Sequence, residues 1–194
     1  KQRRALALDA AAEAILYDEV ALTKALAAYD ALSPGSAEAY YVVGEQLSFN
    51  RQYAPAAEML EEAIRRKPNW PAPQIELGLL ELQSGRDDRA LAALKSVAEL
   101  DQFNKRAANS LFLLEELAEY RTEESEHFIV RYKPGIDRVL AHMMLEPLEE
   151  MHAIVSERFQ FEPDRKTIIE LMPDHQRFAV RITGIPAIHT IAAC

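Results

Sequence analysis

The sequence has little of several residue types on which common functions depend. One cysteine in 194 residues excludes an internal disulfide and does not assign a compartment. Six glycines, scattered singly, provide no glycine-rich phosphate loop. No apolar run approaches the roughly 18 residues of a membrane helix, so no membrane span is expected. Acidic residues outnumber basic ones by 31 to 22, and the net charge of −9 disfavours nucleic acid as a partner.

The composition that remains is that of an ordinary globular protein, with 49% hydrophobic and 27% charged residues. Such a composition supports a folded core and does not fit intrinsic disorder. The length suits one domain or two small ones. The first residue is Lys1 rather than methionine, so we expect this chain to be a piece of a longer gene product.

Two glycines lie inside segments that otherwise predict helices, where each costs about 1 kcal/mol relative to alanine. They are Gly44 and Gly78, thirty-four positions apart. The same interval relates further pairs of identical residues: Ala56 and Ala90, Leu60 and Leu94, and Pro34 and Pro68. A helical bundle with chance spacing does not account for so many coincidences, so we predict an internal repeat. Each glycine is expected to abut the alanine twelve positions later, which lets two helices approach closely.

We divide the chain into 34-residue frames that start at residues 3, 37 and 71. Each pair of identical residues then falls at one position of the frame, and these positions hold, in order, a small residue, a second small residue, a large residue and a proline. The pattern resembles the tetratricopeptide repeat, a helix–turn–helix unit of this length. The signature residues are Gly44, Ala56, Leu60, Ala63, Pro68, Gly78, Ala90 and Leu94. The resemblance implies a domain over 1–120, built from helix pairs over 3–36, 37–70 and 71–104 and a capping helix over 105–120.

In this family, the first helix of each repeat lines a concave groove that binds a protein or peptide. The resemblance implies that the residues lining this groove here are Glu38, Tyr41, Glu45, Ser48, Ile75, Leu79 and Leu82. No basic clamp for a terminal carboxylate is present, so we expect an apolar or amphipathic partner segment, or a basic one that crosses Glu38 and Glu45. Whether a partner or the chain's own segments cover the apolar end stays open.

The pattern changes after the capping helix. Residues 120–126 are polar and are interpreted as a connector. Strand-forming residues then predict three strands, over 127–132, 167–172 and 187–194. An apolar stripe predicts one long helix over 136–160, kinked at Pro147, and a short helix follows with Asp174 as N-cap and Gly184 as stop. The predicted fold class is mainly α, an α-α solenoid followed by a small α+β segment in the order β-α-β-α-β.

The order of the predicted elements and the sequence of this segment, from H-F-I-V-R-Y to T-I-I-E-L-M-P-D, resemble the N-terminal half of peptidase-MA-like, gluzincin-type zinc metallopeptidases. Bacterial proteins often join that domain to tetratricopeptide repeats. The resemblance therefore makes 121–194 a partial domain of this family and implies a bacterial source. The family's chemistry needs H-E-x-x-H, which binds zinc and activates water. That motif is absent here, so the resemblance implies zinc and catalysis in the full-length protein, with this chain alone inactive.

All five histidines follow residue 126, which raises the question of a metal site. His142 and Glu146 lie one helical turn apart, and Glu149 and His152 form an E-x-x-H motif. A di-iron bundle needs that motif on two helices, and only one predicted helix carries it. The polar side of an amphipathic helix often produces such pairs. We therefore predict no metal ligand, no catalytic residue and no cofactor in this chain.

Two hypotheses from different classes stay open. The first is a protein–protein interaction module that uses the groove of the tetratricopeptide repeats, and for this chain alone it is the function we predict. The alternative is an N-terminal, catalytically incomplete fragment of a repeat-containing zinc metallopeptidase whose H-E-x-x-H lies downstream. The sequence names neither the partner nor the oligomeric state.

Overall fold

The computed structural model describes residues 1–187, so most of the strand predicted over 187–194 lies outside the described residues. The chain forms two compact units, Lys1–Leu111 and a second that begins at Phe112. The described residues are mainly helical, with a small three-stranded sheet towards the C-terminal end, which confirms the predicted fold class. The predicted domain bounds, 1–120 and 121–194, stay a prediction.

Consecutive helix pairs build the first unit. The helices are α1 (Gln2–Ile15), α2 (Glu19–Leu32), α3 (Glu38–Phe49), α4 (Tyr53–Arg66), α5 (Pro71–Gln83), α6 (Asp87–Leu100) and α7 (Lys105–Leu117), of which α7 crosses the division between the units. Each of the first three pairs packs within itself, and neighbouring pairs also pack together. The second helices begin at Glu19, Tyr53 and Asp87, and so recur every thirty-four residues. The unit is a helical repeat of the predicted length.

The turn inside each pair repeats one backbone geometry. Tyr17, Arg51 and Gly85 hold positive φ angles of 60°, 60° and 76°. The N–H of each donates to the carbonyl three residues earlier, and the N–H of the next residue donates to the carbonyl five residues earlier. This arrangement is typical of helix C-termini that end in a left-handed residue. The first pair has Ala10 in place of the glycine, yet its turn is the same.

Gly44 and Gly78 lie buried on α3 and α5, where a side chain would overlap with the second helix of the pair. A Cβ on Gly44 would lie 2.7 Å from Leu60 Cγ and 3.2 Å from the Ala56 carbonyl oxygen. A Cβ on Gly78 would lie 2.5 Å from Leu94 Cγ. Close packing is confirmed, and at Gly44 the expected neighbour Ala56 is close through its carbonyl oxygen. The nearest atoms to each glycine, however, belong to the leucine sixteen positions later.

An ionic network joins α2 to α4. Arg66 donates to both carboxylate oxygens of Asp30, at 2.5 and 2.9 Å, and to the Tyr40 hydroxyl at 2.8 Å. Its Nε also lies 2.6 Å from Glu62. The hydrogen bonds from Arg66 hold the pKa of Asp30 below its usual range. Because the Arg66 side chain is only 14% exposed, its loss would leave acidic groups without their partner.

The second unit contains a sheet, a long helix and a short helix. Its elements are β1 (Arg121–Glu124), β2 (Phe128–Tyr132), α8 (Asp137–Phe159), β3 (Thr167–Leu171) and α9 (His175–Thr183). The strand order is β1-β2-β3, with β1 antiparallel to β2 and β2 parallel to β3. The interpretation of 120–126 as a connector was wrong, since β1 lies there. Its residues are largely exposed, so no hydrophobic alternation marks the strand.

The helix α8 runs through Pro147 as one helix, as predicted. Its residues Ala141, Leu145 and Leu148 pack on the sheet. Other apolar residues of α8 are exposed, among them Val139, Leu140, Met143, Met151, Ile154 and Phe159. The helix α9 begins after Asp174, whose carboxylate accepts from the Arg177 N–H, and ends at Gly184, as predicted. None of the helices in residues 1–187 has the length and apolar content of a bilayer span.

Candidate functional site

The expected groove residues separate into a buried and an accessible group. Those on α5 are 6%, 2% and 0% exposed: Ile75, Leu79 and Leu82. These three residues are buried in the described chain, and their role in partner binding stays a prediction. Those on α3 are exposed or half-buried: Glu38, Tyr41, Glu45 and Ser48. Their role in partner binding stays a prediction.

The accessible residues include an aromatic and acidic cluster, Tyr41, Glu45 and Trp70, which we call the Tyr41 patch. The Tyr41 hydroxyl donates to Glu45 Oε1 at 2.7 Å. The Tyr41 and Trp70 ring centroids are 4.8 Å apart, at an interplanar angle of 57°. Burial, together with the bond to Glu45, raises the pKa of the Tyr41 hydroxyl. A carboxylate bonded to Tyr41, whose ring contacts Trp70, is suited to a cationic or amphipathic segment.

The signature residues lie where a repeat needs them. Those between the helices of a pair are fully buried: Ala56, Leu60, Ala63, Ala90 and Leu94. Pro68 instead follows the end of α4 and is exposed. These residues stabilise the repeat and do not themselves form a binding surface.

A second cluster lies in the second unit, where the sequence analysis expects no metal ligand. It consists of His127, just before β2, His152 on α8, and Glu162 in the loop after α8. One ring nitrogen or carboxylate oxygen of each lies within 4.8 Å of the others. The two imidazole rings stack, with centroids 3.8 Å apart and 16° between their planes. His127 Nε2 lies 3.3 Å from Glu162 Oε1.

Glu149 holds His127 in place within this cluster. Its carboxylate accepts from the His127 backbone N–H at 2.9 Å and lies 2.6 Å from His127 Nδ1. The nearby Ser125 hydroxyl and the hydrogen bond from the His127 backbone N–H lower the pKa of Glu149 to about 2. The bond to this carboxylate in turn raises the pKa of His127. Glu149 is therefore a fixed anion that orients the imidazole.

The sequence carries one signal for this cluster, the E-x-x-H spacing that sets Glu149 and His152 on one face of α8. His127 reaches them because β2 packs against α8, which is a tertiary contact that no local spacing reports. Glu162 follows Gln160, a left-handed residue with φ of 52° that ends the helix. The other pair noted in the sequence, His142 and Glu146, is exposed and lies outside the cluster.

No protein-family model and no curated protein matches the chain. Among solved structures, a mutant of the Thermobaculum terrenum O-GlcNAc transferase is similar over 59% of this chain and 22% of that chain. The sequence identity is 23% and the TM-score 0.45, a likeness that carries no functional argument. The helical-repeat fold of the first unit therefore stands on its own geometry. The resemblance to metallopeptidases finds no support in these comparisons and stays a prediction.

Proposed function

We propose that the three helix pairs are tetratricopeptide repeats, and that the chain is a protein-interaction module which binds a partner segment at Glu38 and the Tyr41 patch. The observation that carries this proposal is the recurrence, every thirty-four residues, of the helix starts and of the left-handed turns. In repeat arrays of this kind, binding residues belong to one helix of each unit. The α3 residues occupy those positions in the middle pair.

The chemistry of the accessible residues favours a basic amphipathic segment. Glu38 is exposed in the first turn of α3, and Glu45 lies beside the Tyr41 ring. Carboxylates at a rim steer and select cationic partners, while aromatic faces accept lysine and arginine stems. A purely apolar segment has less support, because the apolar residues of α5 are buried in the chain.

Fluorescence anisotropy of a labelled helical peptide of lysine and leucine tests this proposal, with a glutamate and leucine peptide of equal length as comparison. We expect binding of the basic peptide alone, and about a tenfold weaker affinity for Glu38→Lys, the equivalent of roughly 1.4 kcal/mol. Glu45→Gln should weaken binding while it keeps an acceptor for Tyr41. The matched control is Glu58→Lys, which makes the same charge change at an exposed site on α4.

Equal binding of the two peptides, or an equal loss in the Glu58→Lys control, would contradict the proposed surface. The finer hypothesis of a zinc metallopeptidase fragment has no favouring observation in the described residues, which lack H-E-x-x-H. Its direct test is the coding sequence beyond residue 194. The module described here is expected to bind without peptidase activity of its own.

A further inference from the structure

We propose that His127, His152 and Glu162 form a zinc-binding site in the second unit, with Glu149 as the positioning residue for His127. The three ligands come from the start of β2, from α8 and from the loop that leaves α8. The site depends neither on the proposed partner binding nor on the metallopeptidase resemblance, because its ligands lie outside any H-E-x-x-H motif.

One ligand pair in the cluster already has the spacing of a coordination sphere, and all three ligand atoms lie within 4.8 Å of one another. In tetrahedral zinc sites with bonds of about 2.1 Å, the ligand atoms lie roughly 3.4 Å apart. His127 Nε2 and Glu162 Oε1 are 3.3 Å apart, and His152 Nε2 and the same oxygen are 4.0 Å apart. The side chain of Glu162 is 66% exposed in a loop, so its carboxylate can rotate towards a metal. The two imidazole rings are only 16° from parallel, so both nitrogens reach one zinc ion when the rings rotate apart.

The contacts of each histidine bear on which ring nitrogen can bind the metal. When Nδ1–H of His127 donates to Glu149, 2.6 Å away, the lone pair on Nε2 is left for zinc, as in carboxylate–histidine–zinc triads. Ser156 Oγ lies 3.3 Å from His152 Nε2, and zinc bound to this nitrogen would replace that contact. The Phe128 ring packs edge-on against His152, with centroids 5.9 Å apart, and limits its rotation.

The ligand types select the metal. Two imidazoles and one carboxylate suit zinc, whereas magnesium and calcium prefer oxygen ligands throughout. Three protein ligands leave one tetrahedral position for water. The His127 and His152 side chains are 26% and 12% exposed, so the site is partly enclosed, and Glu162 borders solvent. Zinc binding here would join the loop after α8 to the start of β2.

Calorimetric titration of the chelator-treated chain with zinc chloride tests the site, with cobalt absorption as a second readout. We expect one zinc per chain and no competition from excess magnesium. His152→Asn should abolish this binding. Glu149→Gln should keep the stoichiometry and weaken the affinity about 10- to 100-fold, as measured for outer-shell partners. The matched control is His142→Asn, an exposed histidine on the same helix, with unchanged affinity.

Glu162→Gln is the variant that tests the site independently of folding, because its side chain lies in an exposed loop. It should retain the wild-type circular dichroism spectrum and bind zinc at least about tenfold more weakly, since a neutral amide is a poorer ligand. The proposal is overturned if the wild type binds no stoichiometric zinc, if Glu162→Gln or His152→Asn binds as tightly as wild type, or if His142→Asn loses binding equally.

Discussion

Replacement of Gly78 by alanine should destabilise the first unit, although alanine is the better helix former by about 1 kcal/mol. The new Cβ would lie 2.5 Å from Leu94 Cγ and 2.6 Å from Leu94 Cδ2. Overpacking of a well-packed core costs about 1 to 3 kcal/mol, and two contacts this short place the cost near the upper end. We expect a net loss of about 2 kcal/mol in the free energy of unfolding.

The cause can be isolated with a double-mutant cycle. Leu94→Ala removes both overlapping atoms and by itself costs about 2 to 5 kcal/mol. In that background, Gly78→Ala should instead stabilise by about 1 kcal/mol, the helix preference alone. The expected coupling between the two sites is thus about 3 kcal/mol. Gly44 provides a comparison, because its Cβ would also lie 3.2 Å from the Ala56 carbonyl oxygen, which Leu60→Ala leaves in place.

Urea unfolding followed by Trp70 fluorescence measures these changes in the first unit, since this is the one tryptophan of the chain and its ring contacts Tyr41. Leu60→Ala should relieve less of the stability loss caused by Gly44→Ala than Leu94→Ala relieves of the loss caused by Gly78→Ala. The packing explanation fails if Gly78→Ala stabilises the otherwise unchanged chain, or if the two substitutions are additive within about 0.5 kcal/mol.

Three further outcomes follow from the structure. Arg51→Gly should raise the free energy of unfolding by about 1 kcal/mol in urea titrations, because its φ of 60° strains any side chain, whereas Gly85→Ala should lower it similarly. Acid titration should weaken the wild type below about pH 4, because Asp30 has a lowered pKa and its contribution is lost as the carboxylate protonates; Arg66→Gln should show a flatter profile. Leu117→Glu should reduce hydrogen-exchange protection in α9, whose Val180 packs on Leu117, with α1 to α4 unchanged.

The helical repeat could be predicted because its signal is local and recurs. Gly44 and Gly78 mark positions where backbone packing excludes a side chain, and the same exclusion returns at a fixed interval. The long helix α8 and the cap at Asp174 are likewise set by residues close in sequence. Which atoms lie nearest to each glycine depends on side-chain packing between helices, so the sequence indicated the alanine, whereas the structure places the leucine nearest.

Features that depend on tertiary contacts were not predictable in this way. The strand β1 is held by pairing with β2 rather than by its own exposed, polar residues. Ile75, Leu79 and Leu82 fit a groove by repeat position, yet they are buried in the described chain. The histidine cluster needs β2 beside α8, so the E-x-x-H spacing alone indicated only an amphipathic helix. Whether that cluster binds metal stays a proposal, and the expectation of no metal is equally untested.

Backbone geometry recurs every thirty-four residues, within the helix pairs at Tyr17, Arg51 and Gly85 and also between them. This recurrence affects how the length of such a gene can change. Ser36 and Trp70 have equivalent backbone bonds, each N–H donating to the carbonyl three residues earlier. Removal of residues 37–70 would therefore join Ser36 to Pro71 at a junction that the backbone already uses. Unequal recombination at this spacing inserts or deletes whole helix pairs. The packing between the remaining pairs keeps the same register, because each repeat contacts chiefly its neighbours. The number of repeats is thus a quantity that selection can adjust stepwise.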